Sequence, residues 1–154
     1  SSSLRSREPR SPLRNCMTKA YIDGGSRGNP GPAGIGVYFP GVVEIAEYLG
    51  DQTNNFAEYS ALLVAARFGV FQRYSRLLIF SDSELVVKQI NGSYKVRNEN
   101  LLPLYDSAIR WIEMIPDFSI SHVRREFNKD ADRLANEAMD NQKNLLRWLD
   151  PEND

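Results

Sequence analysis

Four acidic residues stand where a folded chain could gather them: Asp23, Glu58, Asp82 and Asp132. Asp23 closes the apolar stretch Ala20-Tyr21-Ile22 and precedes Gly24-Gly25, while Asp82 follows the run Leu77-Leu78-Ile79-Phe80. Glu58 and Asp132 each fall one turn into a segment with helical spacing. Acids at strand ends and helix starts can converge on one point, because rigid elements aim them. Hard oxygen ligands suit magnesium or manganese, and two such ions about 3.5–4 Å apart can clamp the attacking and leaving oxygens of a phosphodiester displacement. Each acid also has a plainer reading. Asn55-x-x-Glu58 fits a helix cap of the capping-box kind, and Ser81-x-x-Glu84 puts Asp82 at a helix's first position. First-turn acids gain from the helix dipole in any case. Asp23 is the hardest to dismiss, since aspartate is unfavourable in a strand unless a turn or a metal uses it.

The elements that must position these acids can be read along the chain. Strands are expected at Ala20–Ile22, Ile35–Phe39 and Val42–Leu49, with Ser26 to Gly36 as a glycine- and proline-punctuated loop and Pro40-Gly41 as a turn. Joined this tightly, the three should form an antiparallel meander. Asn54-Asn55 opens a helix in which Leu62, Ala65, Ala66 and Gly69 recur at helical spacing. Leu77–Phe80 is a short continuous apolar run, as in a buried parallel strand. Helices follow over Ser83–Asn91 and Glu99–Met114, then a strand over Phe118–Val123 and a helix from about Asn128 to Asp140. Leu145, Leu146, Trp148 and Leu149 are expected to form one more apolar turn docked on the body. The order implies an α/β fold: a mixed five-stranded sheet, three antiparallel strands then two parallel, flanked by helices.

Composition narrows the class. The 154 residues are 42% apolar and 25% charged, which is enough to bury one core. No apolar run approaches the roughly 18 residues of a membrane span, so no membrane partner is expected and a cytoplasmic, monomeric protein is. The single cysteine, Cys16, cannot make an internal disulfide, and neither it nor the lone His122 can build a zinc site. Net charge is −1, unevenly placed: residues 1–16 carry four arginines against Glu8, and the remainder is acidic. Residues 1–16 read as a disordered basic arm, a vector remnant or an alternative upstream start, with Met17 as a candidate natural start. Residues 17–140 form the expected catalytic domain and 141–154 a C-terminal extension. Gly31, Gly34 and Gly36 lack GxGxxG spacing and no helix follows them, so a dinucleotide loop is discarded.

These motifs together resemble the type 1 ribonuclease H family. YIDGGSRGNPGPAGIGVYF is similar to that family's opening, with aspartate, glycine and the GNPGP loop; TNNFAEYSALLVA to its Asn-Asn-x-x-Glu helix; IFSDSELVVKQI to its strand-end aspartate; and DADRLANEA to its final aspartate. The match covers about Met17 to Asp140, with four motifs in correct order and spacing. The resemblance implies the ribonuclease H-like fold and endonucleolytic cleavage of the RNA strand of RNA–DNA hybrids. A metal-held water would attack the phosphate in line, leaving 5′-phosphate and 3′-hydroxyl ends. Asp23, Glu58, Asp82 and Asp132 would be the catalytic acids, holding two Mg²⁺ (or Mn²⁺) ions per site. Asn29, Asn54 and Asn55 would contact the hybrid, and Thr53 would help to hold a DNA phosphate. Independently of the family, uncharged amides at loop ends can bond a minor groove and its 2′-hydroxyls, although asparagine also favours turns and caps.

The pattern departs from the family in two places. Many members carry a histidine loop before the last helix, whereas the segment here is Arg124-Arg125-Glu126-Phe127. Arg124, Arg125 or Glu126 could take over proton shuttling or product release. The alternation Phe118, Ile120, His122 points His122 toward an apolar face as a structural residue. The inserted basic helix of some bacterial members is also missing. In its place Lys88, Lys95 and Arg97, with Tyr94, form a small patch able to take phosphates or simply to be solvated. Both shortenings resemble an archaeal-like branch, some of whose members also cut double-stranded RNA, which stays open as a second substrate. The rival function is a catalytically silent nucleic-acid-binding domain of the same fold. A transposase or exonuclease on this architecture fits the GNPGP loop and paired asparagines less well.

Overall fold

In the computed structural model, residues 17–150 can be described. The expected arm at 1–16 lies outside them. Among the described residues six strands make one sheet, in which the fifth, fourth, first, second, third and sixth strands in chain order lie side by side. β1 (Thr18–Ser26), β2 (Gly31–Phe39) and β3 (Val43–Gln52) form the antiparallel meander. α1 (Asn54–Phe71) then crosses to β4 (Arg76–Ser81), which lies parallel to β1. α2 (Glu84–Ile90) and α3 (Leu102–Ile112) lead to β5 (Asp117–His122), parallel to β4. A 3₁₀ turn at Arg125–Phe127 feeds α4 (Lys129–Asn141), and β6 (Leu145–Trp148) closes the order.

The sheet's faces follow from alternation along its strands. Ala20 and Ile22 of β1, Ile35, Val37 and Phe39 of β2, and Leu77 and Ile79 of β4 are wholly buried in one cluster with Tyr59, Ala61 and Leu62 of α1. Helix α1 packs on that face, with α2 and α3 against it, while α4 covers the other across β1, β2 and β3. Phe39 and Phe68 meet with ring centroids 4.7 Å apart, anchoring α1 to the meander. No helix among the described residues is long and apolar enough to cross a membrane.

Four expectations need correction. The sheet has six strands rather than five: Leu145–Trp148 is not an apolar turn but a strand antiparallel to β3, pairing Val43 with Trp148 and Ala46 with Leu145. It also secures charge. Glu44 of β3 is buried and accepts hydrogen bonds from Arg133 of α4, at 2.7 Å, and from Arg147 of β6. Burial alone would raise the Glu44 carboxyl, but the bonds from Arg147 and Arg133 prevail and hold it below its ordinary range. β2 starts at Gly31 rather than Ile35, because Arg27 N–H donates to the Pro32 carbonyl at 2.9 Å and residues 31–33 pair with 50–52. The proline and glycine content suggested a loop there, but two flanking strands supply a ladder. β1 likewise runs on to Ser26, so Asp23 lies within it rather than at its end. The third helix begins at Leu102, not Glu99: Asn98 first makes a turn in which its side chain accepts from Asn100 N–H at 2.8 Å. Pro103 then sits in the first turn, where its missing N–H costs nothing.

Candidate active site

The four acids meet at one end of the sheet, and the local reasons are visible residue by residue. β1 and β4 are parallel in a register that pairs Ile22 with Ser81, so Asp23 and Asp82 follow side by side. Gly24 brings in the third acid. A Cβ there would lie 2.4 Å from the Ala57 carbonyl carbon and oxygen, so only glycine lets the first turn of α1 rest on β1. The closeness lets Gly24 N–H donate to Glu58 Oε1 at 3.1 Å. Gly36, the antiparallel partner of Asp23, does the same for α4: a Cβ would lie 2.1 Å from the Ala131 carbonyl oxygen. That contact lays the first turn of α4 over β2 and sets Asp132 beside Asp23.

Ligand oxygens of Asp23, Glu58 and Asp82 all lie within 4.8 Å of one another, and Asp132 lines the same cleft. The Asp23 carboxyl is pushed up to about 8, first by burial, then by the neighbouring carboxyls of Asp82 and Asp132, against the Gly24 N–H. Glu58 is also pushed well up, first by burial and then by Asp23 and Asp82, with Gly24 N–H and Arg125 opposing. Two unit charges 4.8 Å apart repel by about 3.5 kcal/mol at an effective dielectric of ~20. Protons relieve that repulsion in the bare protein, and divalent cations would relieve it better. The donors fit such ions: hard oxygens, no sulfur, no imidazole.

The acids line a polar cleft of about 360 Å³ whose walls include Ser26, Arg27, Asn54, Arg125, Asn136 and Met139. The capping-box reading of Glu58 does not hold, since Thr53 caps α1 by accepting from Phe56 N–H at 3.1 Å. Nor does Asp82 start α2; Ser83 caps it, and Asp82 precedes the cap.

Other singled-out residues divide between cleft and periphery. Asn54 lines the cleft, its Oδ1 accepting from Ser26 N–H at 2.7 Å and Ser26 O–H at 3.1 Å. Asn29 Oδ1 accepts from Asn54 N–H at 2.9 Å, so both amides lock the β1–β2 loop onto α1. Asn55 is exposed beside them. Thr53 lines a separate cleft of about 280 Å³ with Gln52, Phe56, Asn98, Asn100 and Leu101. Tyr94, Lys95 and Arg97 are exposed after α2, away from the acid cleft, and Lys88 pairs with Glu84 at 3.3 Å. Of the 124–126 segment, Arg125 enters the cleft; Arg124 and Glu126 pair loosely with each other at 3.9 Å. His122 is exposed at the end of β5 rather than set on an apolar face, because strand alternation stops deciding burial where the sheet's cover ends.

The sequence reading missed Asn128. It is 1% exposed, and its Nδ2 donates to the Ile22 carbonyl at 2.8 Å, tying the entry to α4 directly to the residue before Asp23. An asparagine ahead of an acidic helix turn signals a cap, but this side chain makes no cap bond. The cleft residues Arg27, Asn136 and Met139 were missed too, since only folding brings them near the acids.

The chain is similar to several known proteins. Residues 41–138 match the family model described as reverse transcriptase-like. Ribonuclease HI of Halobacterium salinarum is 40% identical over 134 residues, covering 84% of this chain and 67% of that protein. A bifunctional protein of Mycobacterium tuberculosis is 40% identical over 124 residues, covering 77% of this chain and 34% of its own length. The chain thus spans about a third of that relative's length. LC11-RNase H1, solved in complex with an RNA/DNA hybrid, superposes with a TM-score of 0.74 at 37% identity, covering 81% of this chain and 98% of that one. An acid cleft assembled by two glycine contacts, in a chain this similar to proteins of that name, places it plainly: the chain belongs to the type 1 ribonuclease H family.

Proposed function

We propose that this chain is an endonuclease that hydrolyses the RNA strand of RNA–DNA hybrids, and that the cleft around Asp23 is its catalytic centre. The observation that carries the reading is the convergence of Asp23, Glu58 and Asp82 within 4.8 Å, with Asp132 lining the same cleft. Family membership supports the substrate class, as does the hybrid bound by LC11-RNase H1.

In this reading Asp23, Glu58, Asp82 and Asp132 would hold two Mg²⁺ (or Mn²⁺) ions. Bound there, the ions supply positive charge to the attacking and leaving oxygens of an in-line displacement that leaves 5′-phosphate and 3′-hydroxyl ends. Asp23, which lies among the other acids, would give up its proton to bind such ions. Glu58 is held in place by Gly24 N–H and faces the same point from α1. Arg125, the charge opposing the rise at Glu58, stands ready to meet the phosphate as it leaves, the role sought in the 124–126 segment. The acid cleft repels a polyanion until cations offset its charge, so hybrid binding should depend on the metal.

Asn54, with Oδ1 engaged by Ser26, turns its NH₂ to the substrate, and Asn29 and Asn55 flank it. Such amides can bond minor-groove edges and 2′-hydroxyls. Thr53 and its cleft take a DNA phosphate, while Tyr94, Lys95 and Arg97 steady the backbone farther along. Residues 17–140 form the catalytic unit, β6 completes its sheet, and the protein acts as a monomer.

The test is a denaturing-gel assay with end-labelled hybrid, double-stranded RNA and double-stranded DNA. Each is run with Mg²⁺, Mn²⁺ or chelator, beside Asp82→Asn. Metal-dependent cutting of the RNA in the hybrid, lost in Asp82→Asn, is expected. Cutting of double-stranded RNA as well would widen the substrate class. Tight hybrid binding without cleavage would make the protein a silent binder and refute the proposal.

A further inference from the structure

Arg27 stands apart from the carboxylates yet lines the same cleft. Its backbone is tightly fixed. Arg27 N–H bonds the Pro32 carbonyl, and a Cβ at Gly31 would lie 1.9 Å from the Arg27 carbonyl oxygen, so the β1–β2 loop closes with no slack. Its side chain reaches across to α4, where Nη2 donates to Asn136 Oδ1 at 3.0 Å and Nη1 pairs with Asp140. Asn136 in turn donates from Nδ2 to the Asp132 carbonyl at 2.9 Å. A chain of hydrogen bonds therefore runs from the guanidinium to the helix turn that carries the fourth acid.

Among the described residues lining the cleft, the cations are Arg27 and Arg125. Arg125 works on the Glu58 side of the cleft, at the departing phosphate, which leaves Arg27 for another contact. Arg27 is paired only at the rim, with both partners about half exposed (46% and 59%). An exposed pair of this kind contributes little to stability, and a phosphate offers the guanidinium a stronger, two-pronged acceptor. Asp140 is thus a weak placeholder for an anion.

We propose that Arg27 is a substrate-binding residue that takes a backbone phosphate of the bound nucleic acid, exchanging Asp140 for it while keeping Asn136. The inference rests on the functional reading above and adds a contact that sets affinity. It also gives the cleft an ordering effect. A strand seated on Arg27 pulls, through Asn136, on the turn that aims Asp132, so phosphate occupancy and acid alignment reinforce each other.

The experiment compares wild type, Arg27→Ala, Arg27→Lys and Asp140→Asn in steady-state cleavage of a labelled hybrid with Mg²⁺ across a salt series. Anisotropy binding of the same hybrid and thermal unfolding are measured alongside. Arg27→Ala should raise KM about tenfold with a far smaller change in kcat, and should flatten the salt dependence of binding by about one released ion. Arg27→Lys should recover part of the affinity, since charge returns without the planar fork. Asp140→Asn should lower KM two- to threefold, because the placeholder is gone. An unchanged KM and salt slope in Arg27→Ala would overturn the inference and leave the nuclease reading standing. So would an Asp140→Asn that merely loses thermal stability, as a tether would. Absence of hybrid cleavage by the wild type would sink the nuclease reading, and the anisotropy comparison would then decide Arg27 alone.

Discussion

Replacing Asp23 by asparagine should make the metal-free protein more stable while ending its activity. Asp23 is 9% exposed, beside Asp132 and surrounded by two further acids within 4.8 Å. Its carboxyl holds a proton to about pH 8, whereas an unfolded chain releases it near 3.8. Between those values the folded state binds more protons than the unfolded one, so stability falls as pH rises from about 4 to about 8. That interval is about four pH units at roughly 1.4 kcal/mol each, an upper bound near 6 kcal/mol. Protonation of neighbours and solvent in the cleft lower this, and a gain of about 1–3 kcal/mol for Asp23→Asn at pH 8 is expected. At about 2–4 °C per kcal/mol for a chain of this size, Tm should rise by roughly 5 °C. Thermal unfolding in chelator at pH 5 and pH 8 reads this directly. The two proteins should converge at the lower pH and separate at the higher. Adding Mg²⁺ at pH 8 should then raise the wild-type Tm and leave Asp23→Asn nearly unmoved, because the ions bind only the folded site. An Asp23→Asn protein less stable than wild type in chelator at pH 8 would refute the reasoning, as would a wild type whose stability climbs with pH over this range.

Other perturbations probe the scaffold. Gly24→Ala forces a Cβ to within 2.4 Å of the Ala57 backbone and should cost about 1–3 kcal/mol or more. It should also cut kcat, since α1 must lift Glu58 away; unaltered kinetics would show the contact to be slack. Asn128→Ala removes the bond to the Ile22 carbonyl and should lose about 1–3 kcal/mol in chemical denaturation, with kcat falling as the Asp132 turn loosens. Ending the chain at Asn144 strips Arg147 from Glu44 and Trp148 from Phe68 (rings 5.6 Å apart), for a loss of roughly 1–3 kcal/mol with cleavage retained. Glu44 is held below 4.5, so its share of stability is present above about pH 4.5 and fades as pH falls through its folded value. The wild-type advantage over the truncation should therefore narrow in acid, and a gap constant with pH would remove Glu44 from the account.

The acids were legible because each borders a strongly patterned segment. Leu77–Phe80 can hardly be anything but a buried strand, and Asn54 to Gly69 keeps helical spacing. Asp82 and Glu58 therefore had defined places before any contact was known. Short and mixed segments were not legible. Leu145–Trp148 reads Leu-Leu-Arg-Trp, four residues with no strand alternation, and it becomes a strand because the edge of β3 offers it partners. Residues 31–34 carry loop composition but lie between two strands that hold them extended.

The order and type of the main elements, and the identity of the four acids, follow from the sequence by itself, since periodicity and strand-end carboxylates are local properties. The tertiary structure alone decided how close the acids come. That closeness depends on Gly24 and Gly36 meeting helices more than thirty residues away, and on Asn128 reaching back to Ile22. It also decided that Arg27 shares the cleft, through partners on α4 more than a hundred residues later. Such contacts are set by packing across the sheet, and no spacing within one segment encodes them.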